Sequence, residues 1–105
     1  MSDIVKVYQS TAYEVNWKAL AAGVEKLVMA KLKKDLEHWH DDIGMKSMFL
    51  QDAADGLRVC EALEEGKNWP TIENMLWKMD TAARDYVYEF IAEVAGEDFF
   101  DIVRV

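Results

Sequence analysis

The chain has 105 residues, 51% of them hydrophobic and 30% charged, with a formal net charge of -8. That balance fits one globular domain, residues 1–105, rather than a disordered chain. Acid in excess disfavours direct nucleic-acid binding, which needs Lys and Arg along the phosphates, and favours a protein partner with a basic surface.

The acidity belongs to the second half. Residues 1–52 hold eight acids and seven bases, whereas residues 53–105 hold twelve acids and five bases. Cys60 is the single cysteine, so no internal disulfide can form. No apolar run follows a basic start, and the longest apolar runs are only a few residues. Neither a signal peptide nor a membrane span is expected, and the chain reads as soluble and cytoplasmic, from a reducing compartment.

Residues 4–8, Ile-Val-Lys-Val-Tyr, are strand formers with Val5 and Val7 on one face. Tyr13, Val15 and Trp17 also alternate and can form a hairpin with them. Thr11 and Glu14, however, make a capping-box pattern, which favours a helix starting at about residue 11–16. That first helix runs to about Trp39. Its apolar seam is Trp17, Leu20, Val24, Val28, Leu32, Leu36 and Trp39, in steps of three and four. After residue 30 the seam drifts, because Lys31 and Asp35 occupy the earlier core line. A bend or a change of packing partner is expected there.

Residues 40–44 read as a loop, and a second helix covers about 45–65. Its core line is Met45, Phe49, Ala53, Leu57 and Cys60, with Leu63 beside it, and Gly66 sits where a C′ glycine belongs. Gly56 inside this helix costs about 1 kcal/mol relative to alanine, which close approach of a neighbouring helix would rationalise. Residues 67–71 are a loop holding the only proline, Pro70. A third helix is expected over about 71–95, with Ile72, Met75, Leu76, Met79, Ala83, Tyr86, Val87, Phe90 and Val94 in phase and Gly96 as its stop. The tail, residues 99–105, again looks like a strand able to pair with residues 4–8. The fold expected is therefore mostly α, a three-helix bundle-like domain with short terminal strands at one edge. Neighbouring helices run antiparallel because the loops are short.

Asp85, Glu89, Glu93, Glu97 and Asp101 recur every fourth residue. Like charges at that spacing repel by about 0.2–0.5 kcal/mol per pair, so the row gains the helix nothing. Successive members drift by about 40°. Glu97 would reach the core if the helix continued, so the helix must end near Gly96. Three helical rungs then remain, and Glu97, Asp98 and Asp101 form a separate cluster. Rungs about 6 Å apart by helical rise are comparable with phosphate spacing, which raises the idea of a nucleic-acid mimic. The bland reading is a solvated face offset by Lys26, Lys33 and Lys34. Trp77, Thr81, Arg84 and Tyr88 follow i, i+4, i+7 and i+11 and share an outward stripe. Trp, Tyr and Arg are the residue types of binding hot spots. A helix packed between two neighbours, or a dimer contact, would equally bury that stripe.

Other constellations carry less. His38, His40 and Asp42 invite a metal, but residues two apart on a helix point about 200° apart, and no HExxH or Cys/His set is present. Helix-end histidines, favoured by the C-terminal dipole, are the plain alternative. Glu61, Glu64, Glu65, Glu89 and Glu93 can be gathered for Mg²⁺ in a way similar to all-α nucleotide pyrophosphatases, although the paired ExxE and ExxD spacing of that family is not reproduced. Asp52-Ala-Ala-Asp55-Gly56 lacks the alternating ligands of a calcium loop. Cys60 lies on a core line and reads as an inert small hydrophobe. Phosphate-binding glycine loops and a GxSxG elbow are absent. Met48 lies off the core line and is expected to be exposed.

The leading expectation is a non-catalytic, cofactor-free, protein-binding regulator or inhibitor. It would act through Trp77, Thr81, Arg84, Asp85, Tyr88, Glu89, Glu93, Glu97, Asp98 and Asp101. In character, though not in any motif, such a chain resembles small acidic phage-encoded inhibitors of host machinery, and its partner would then be a nucleic-acid-binding protein. An Mg²⁺-dependent helical nucleotide hydrolase and a structural homodimer subunit are the alternatives.

Overall fold

The computed structural model describes residues 15–103. The regular elements among them are five helices. These are α1, Trp17–His38; α2, Ile43–Glu64; α3, Trp69–Trp77; α4, Thr81–Ala95; and α5, Phe99–Val103.

The helix ends follow from local chemistry. Asn16 caps α1 by accepting from the Ala19 N–H at 3.1 Å, and Asp42 caps α2 by accepting from the Met45 N–H at 3.0 Å. Asn68 caps α3 twice, accepting from the Thr71 N–H at 3.0 Å and the Thr71 hydroxyl at 2.8 Å. Each side-chain oxygen satisfies a donor that the first helical turn leaves unpaired. The C-terminus of α2 closes in a Schellman motif: the Gly66 N–H donates to Leu63 and the Lys67 N–H to Ala62. Gly66 takes φ +74°, as a C′ glycine does there. Gly96, at φ +93°, ends α4 where the acid row required a stop.

Three sequence expectations change. The helix expected over 71–95 is two helices, α3 and α4. Lys78 and Met79 close the last turn of α3 with short-range bonds to Met75 and Leu76, and Asp80 opens α4 in an extended conformation. The apolar spacing from Met79 to Ala83 steps straight across this break and conceals it. The tail expected as a strand folds as α5, with Phe99 fully buried. No strand is seen among the described residues, so the terminal strand pair is not supported; residues 4–8 lie outside the described residues. The first helix begins at Trp17 rather than at 11–16, and the capping-box pair Thr11 and Glu14 also lies outside them.

Helices α1 and α2 form an antiparallel hairpin, and α4 lies along one face of it. Gly56 of α2 marks the meeting point, because a Cβ there would stand 3.5 Å from Val28 of α1 and 3.5 Å from Val87 of α4. The close approach expected at this glycine is therefore present. Gly23 of α1 faces Val94 of α4 more tightly, with a Cβ position 2.7 Å from Val94 Cγ1. These contacts run α4 antiparallel to α1. Leu20, Val24, Val28, Leu63, Ile72, Leu76, Val87, Ile91 and Phe99 are the large side chains at the centre of the core. Short α3 folds back along α4, and its Trp69 meets Phe99 edge-on at 5.3 Å. Among the described residues, no helix is long and apolar enough to cross a membrane.

Candidate functional site

The acidic row divides as its helical phase requires. Asp85, Glu89 and Glu93 project outward from α4 and are exposed. Glu97 and Asp98 occupy the turn after Gly96, and Asp101 lies on the outer side of α5, all three exposed. Among the described residues, Arg84 is the base that pairs with the row, with Nε 3.9 Å from Asp85. Lys26, Lys33 and Lys34 make no ion pair with Glu89 or Glu93 among the described residues.

The aromatic stripe is rearranged. Trp77 ends α3 while Thr81, Arg84 and Tyr88 belong to α4, so the four do not line one helix face. Trp77 is 62% exposed and Arg84 lies over its ring, 4.1 Å from guanidinium carbon to centroid. Such stacking holds Arg84 in place at the edge of the acidic row. Tyr88 turns inward instead. Its hydroxyl donates to Glu73 of α3 at 3.3 Å, and its ring lies 5.6 Å from Phe100. Tyr88 therefore braces α3, α4 and α5, and Trp77, Thr81 and Asp85 remain exposed, with Arg84 half-buried beside them.

The alternative sites do not assemble. Glu61 and Glu64 border a groove between α1 and α2, away from Glu89 and Glu93 on the outside of α4. No group of three or more candidate ligands converges among the described residues. His38 ends α1, and His40 lies in the turn with Nε2 3.2 Å from Asp41. Cys60 is buried, and burial pushes its thiol up to about 12, far from a nucleophilic thiolate. Met48 is exposed as expected.

A half-buried charge cluster was not anticipated as a unit. Lys31 binds Asp35 at 2.6 Å and lies over the rings of Tyr86, at 4.8 Å, and Phe49, at 5.4 Å. The base that interrupts the α1 core line is thus held at the junction of α1, α2 and α4. Beside it Asp52 is only 7% exposed. Burial, then the nearby Asp80 and Asp55, push its carboxyl above the ordinary 3.8, while Lys31 pulls the other way. Burial, then Asp52, Asp35 and Asp55, push the Tyr86 hydroxyl upward too. A carboxyl whose folded pKa is raised destabilises the fold when ionised, and that penalty vanishes as pH falls through the folded value to below the unfolded one. Asp52→Asn should therefore melt higher than wild type at pH 7. Thermal melts across pH should show the advantage shrinking as pH falls towards 3.8 and gone below it; an advantage independent of pH would refute this account.

No family model, curated protein or solved structure matches the chain.

Proposed function

We propose that this chain is a non-catalytic binding protein, a regulator or inhibitor that presents α4 and the following turn to a basic protein surface. The observation behind this reading is the outward acidic row beside an exposed Trp77 stacked on a half-buried Arg84. Asp85, Glu89 and Glu93 supply long-range attraction and orientation. Trp77 supplies a rigid apolar anchor that loses little conformational freedom on binding. Glu97, Asp98 and Asp101 extend the acidic surface past Gly96. In the sharper form of the proposal, the row takes the place of phosphates in a basic groove of a nucleic-acid-binding protein, as a phage-type inhibitor would.

The test is affinity capture from a cell lysate, compared between wild type and variants. Asp85→Lys, Glu89→Lys and Glu93→Lys together should weaken capture of the specific partner by roughly tenfold or more, equivalent to about 1.4 kcal/mol. Adding Trp77→Ala should weaken it further. The same partners recovered at equal strength with all four changes would end the proposal. A mimic requires capture that falls steeply with salt and competes with duplex DNA or RNA, whereas indifference to salt would assign the binding to Trp77.

A further inference from the structure

The α1–α2 hairpin has two faces, and α4 covers one. The other carries a groove between the two helices, lined by Ala22 and Glu25 of α1 and Leu57, Glu61 and Glu64 of α2, with no residue of α3, α4 or α5. Seven-residue steps from these positions continue along the same side of each helix, drifting by only about 20° per step. On α1 the line is Ala22, Met29, Leu36; on α2 it is Leu57, Leu50, Ile43. Met29 is 45% exposed, Leu50 49% and Ile43 80%. The drift of the α1 seam after residue 30 is part of the same feature, because it takes Leu36 off the buried core and onto this side.

We propose that the open face is a two-fold interface with a second copy of this chain, forming a four-helix contact from two hairpins. The charges identify the partner. About Met29, Glu25 and Lys33 stand four residues to either side. About the level of Ala53 and Ala54, which lies across from Met29 in the hairpin, Glu61 and Lys46 stand at matching distances in opposite directions. A two-fold axis in the plane of the face, perpendicular to the helices, lays α1 on its own copy antiparallel. Met29 then meets Met29, Ala22 meets Leu36 and Leu50 meets Leu57. Two of the three groove acids meet a base, Glu25 with Lys33 and Glu61 with Lys46, while Glu64 falls level with Ile43. An unrelated helix would have no reason to match this symmetry, whereas an isologous contact requires it. The face is large enough. Twenty-two-residue helices are about 33 Å long. Two side by side are about 20 Å wide, giving about 650 Å² per copy and about 1,300 Å² per pair, within the range of stable interfaces.

Sedimentation velocity and light scattering test this directly. Wild type should run at twice the 12.1 kDa chain mass at tens of micromolar. Leu50→Glu and Met29→Glu, both at exposed positions, should run at the single-chain mass with unchanged helical circular dichroism. Lys33→Glu should weaken dimerisation roughly tenfold, and Lys33→Glu with Glu25→Lys should restore it. A wild-type monomer at these concentrations would overturn the proposal. So would a dimer that survives Leu50→Glu, or one that is broken by Trp77→Ala instead.

Discussion

Phe99→Ala should remove about 3–5 kcal/mol of folding stability, the usual cost of deleting a buried aromatic side chain. For a chain of this size that is a large part of the total, about 5–15 kcal/mol, and at least ~12 °C of melting temperature. The reason is geometric. Phe99 has no exposed surface. Its ring stands edge-on to Trp69 at 5.3 Å and to Trp17 at 6.1 Å, and each such pair adds about 0.5–1.5 kcal/mol beyond burial. Trp17 begins α1, Trp69 begins α3, and Phe99 begins α5, so one side chain ties together three helix starts. Phe100→Ala, at a half-buried position, should cost less. Near-ultraviolet circular dichroism should lose its tryptophan signature in Phe99→Ala before helical content falls. A cost below about 1 kcal/mol would mean that α5 does not hold the core together.

That packing also explains why the tail is helical although its residues favour a strand. Phe-Phe-Asp-Ile-Val is rich in strand formers, but strand preference reflects fit to a pleated surface, and no sheet is present among the described residues to receive it. Once Gly96 turns the chain, helix is the conformation that delivers Phe99 between Trp17 and Trp69. The long helices were legible because their caps are local: Asp42 before α2 and Gly66 after it act within a few residues. The break between α3 and α4 was hidden by the continuous apolar spacing from Met79 to Ala83. Asp80, an N-cap residue type ahead of Thr81-Ala82-Ala83, was the available signal.

The candidate site was legible to the same degree. Helical phase alone placed Asp85, Glu89 and Glu93 outside and required a stop near Gly96. Tyr88 could not be placed this way. Its inward turn depends on α3 folding back so that Glu73 meets its hydroxyl, which is a tertiary event. Asp52 was hidden for a similar reason, since its burial comes from α4 lying over the hairpin. The open face of that hairpin was written in the sequence as the seven-residue spacing of Met29 and Leu36 and of Ile43, Leu50 and Leu57.

Gly56→Leu should be among the most damaging substitutions in the chain, costing roughly 3 kcal/mol or more by overpacking. A Cβ at Gly56 already stands 3.5 Å from both Val28 methyls and from Val87 Cγ2. Those contacts are ordinary for a methyl, so Gly56→Ala should fit and should gain up to about 1 kcal/mol from helix propensity. Leucine adds three more carbons where α1, α2 and α4 already touch, and two of the neighbours are valines with restricted χ1. Gly23 gives the opposite result for alanine. Its Cβ position lies 2.7 Å from Val94 Cγ1, so Gly23→Ala must displace a stiff side chain or the α4 backbone, which offsets the propensity gain. Val94→Ala in the same chain should relieve that clash, making the pair less harmful than the sum of its parts. Chemical denaturation of Gly56→Leu, Gly56→Ala, Gly23→Ala, Val94→Ala and the Gly23→Ala, Val94→Ala pair measures all of this. If Gly56→Ala lowers stability as much as Gly23→Ala does, the three-helix junction is tighter than the valine contacts imply. If Gly56→Leu melts like wild type, α4 does not pack on the hairpin at that point.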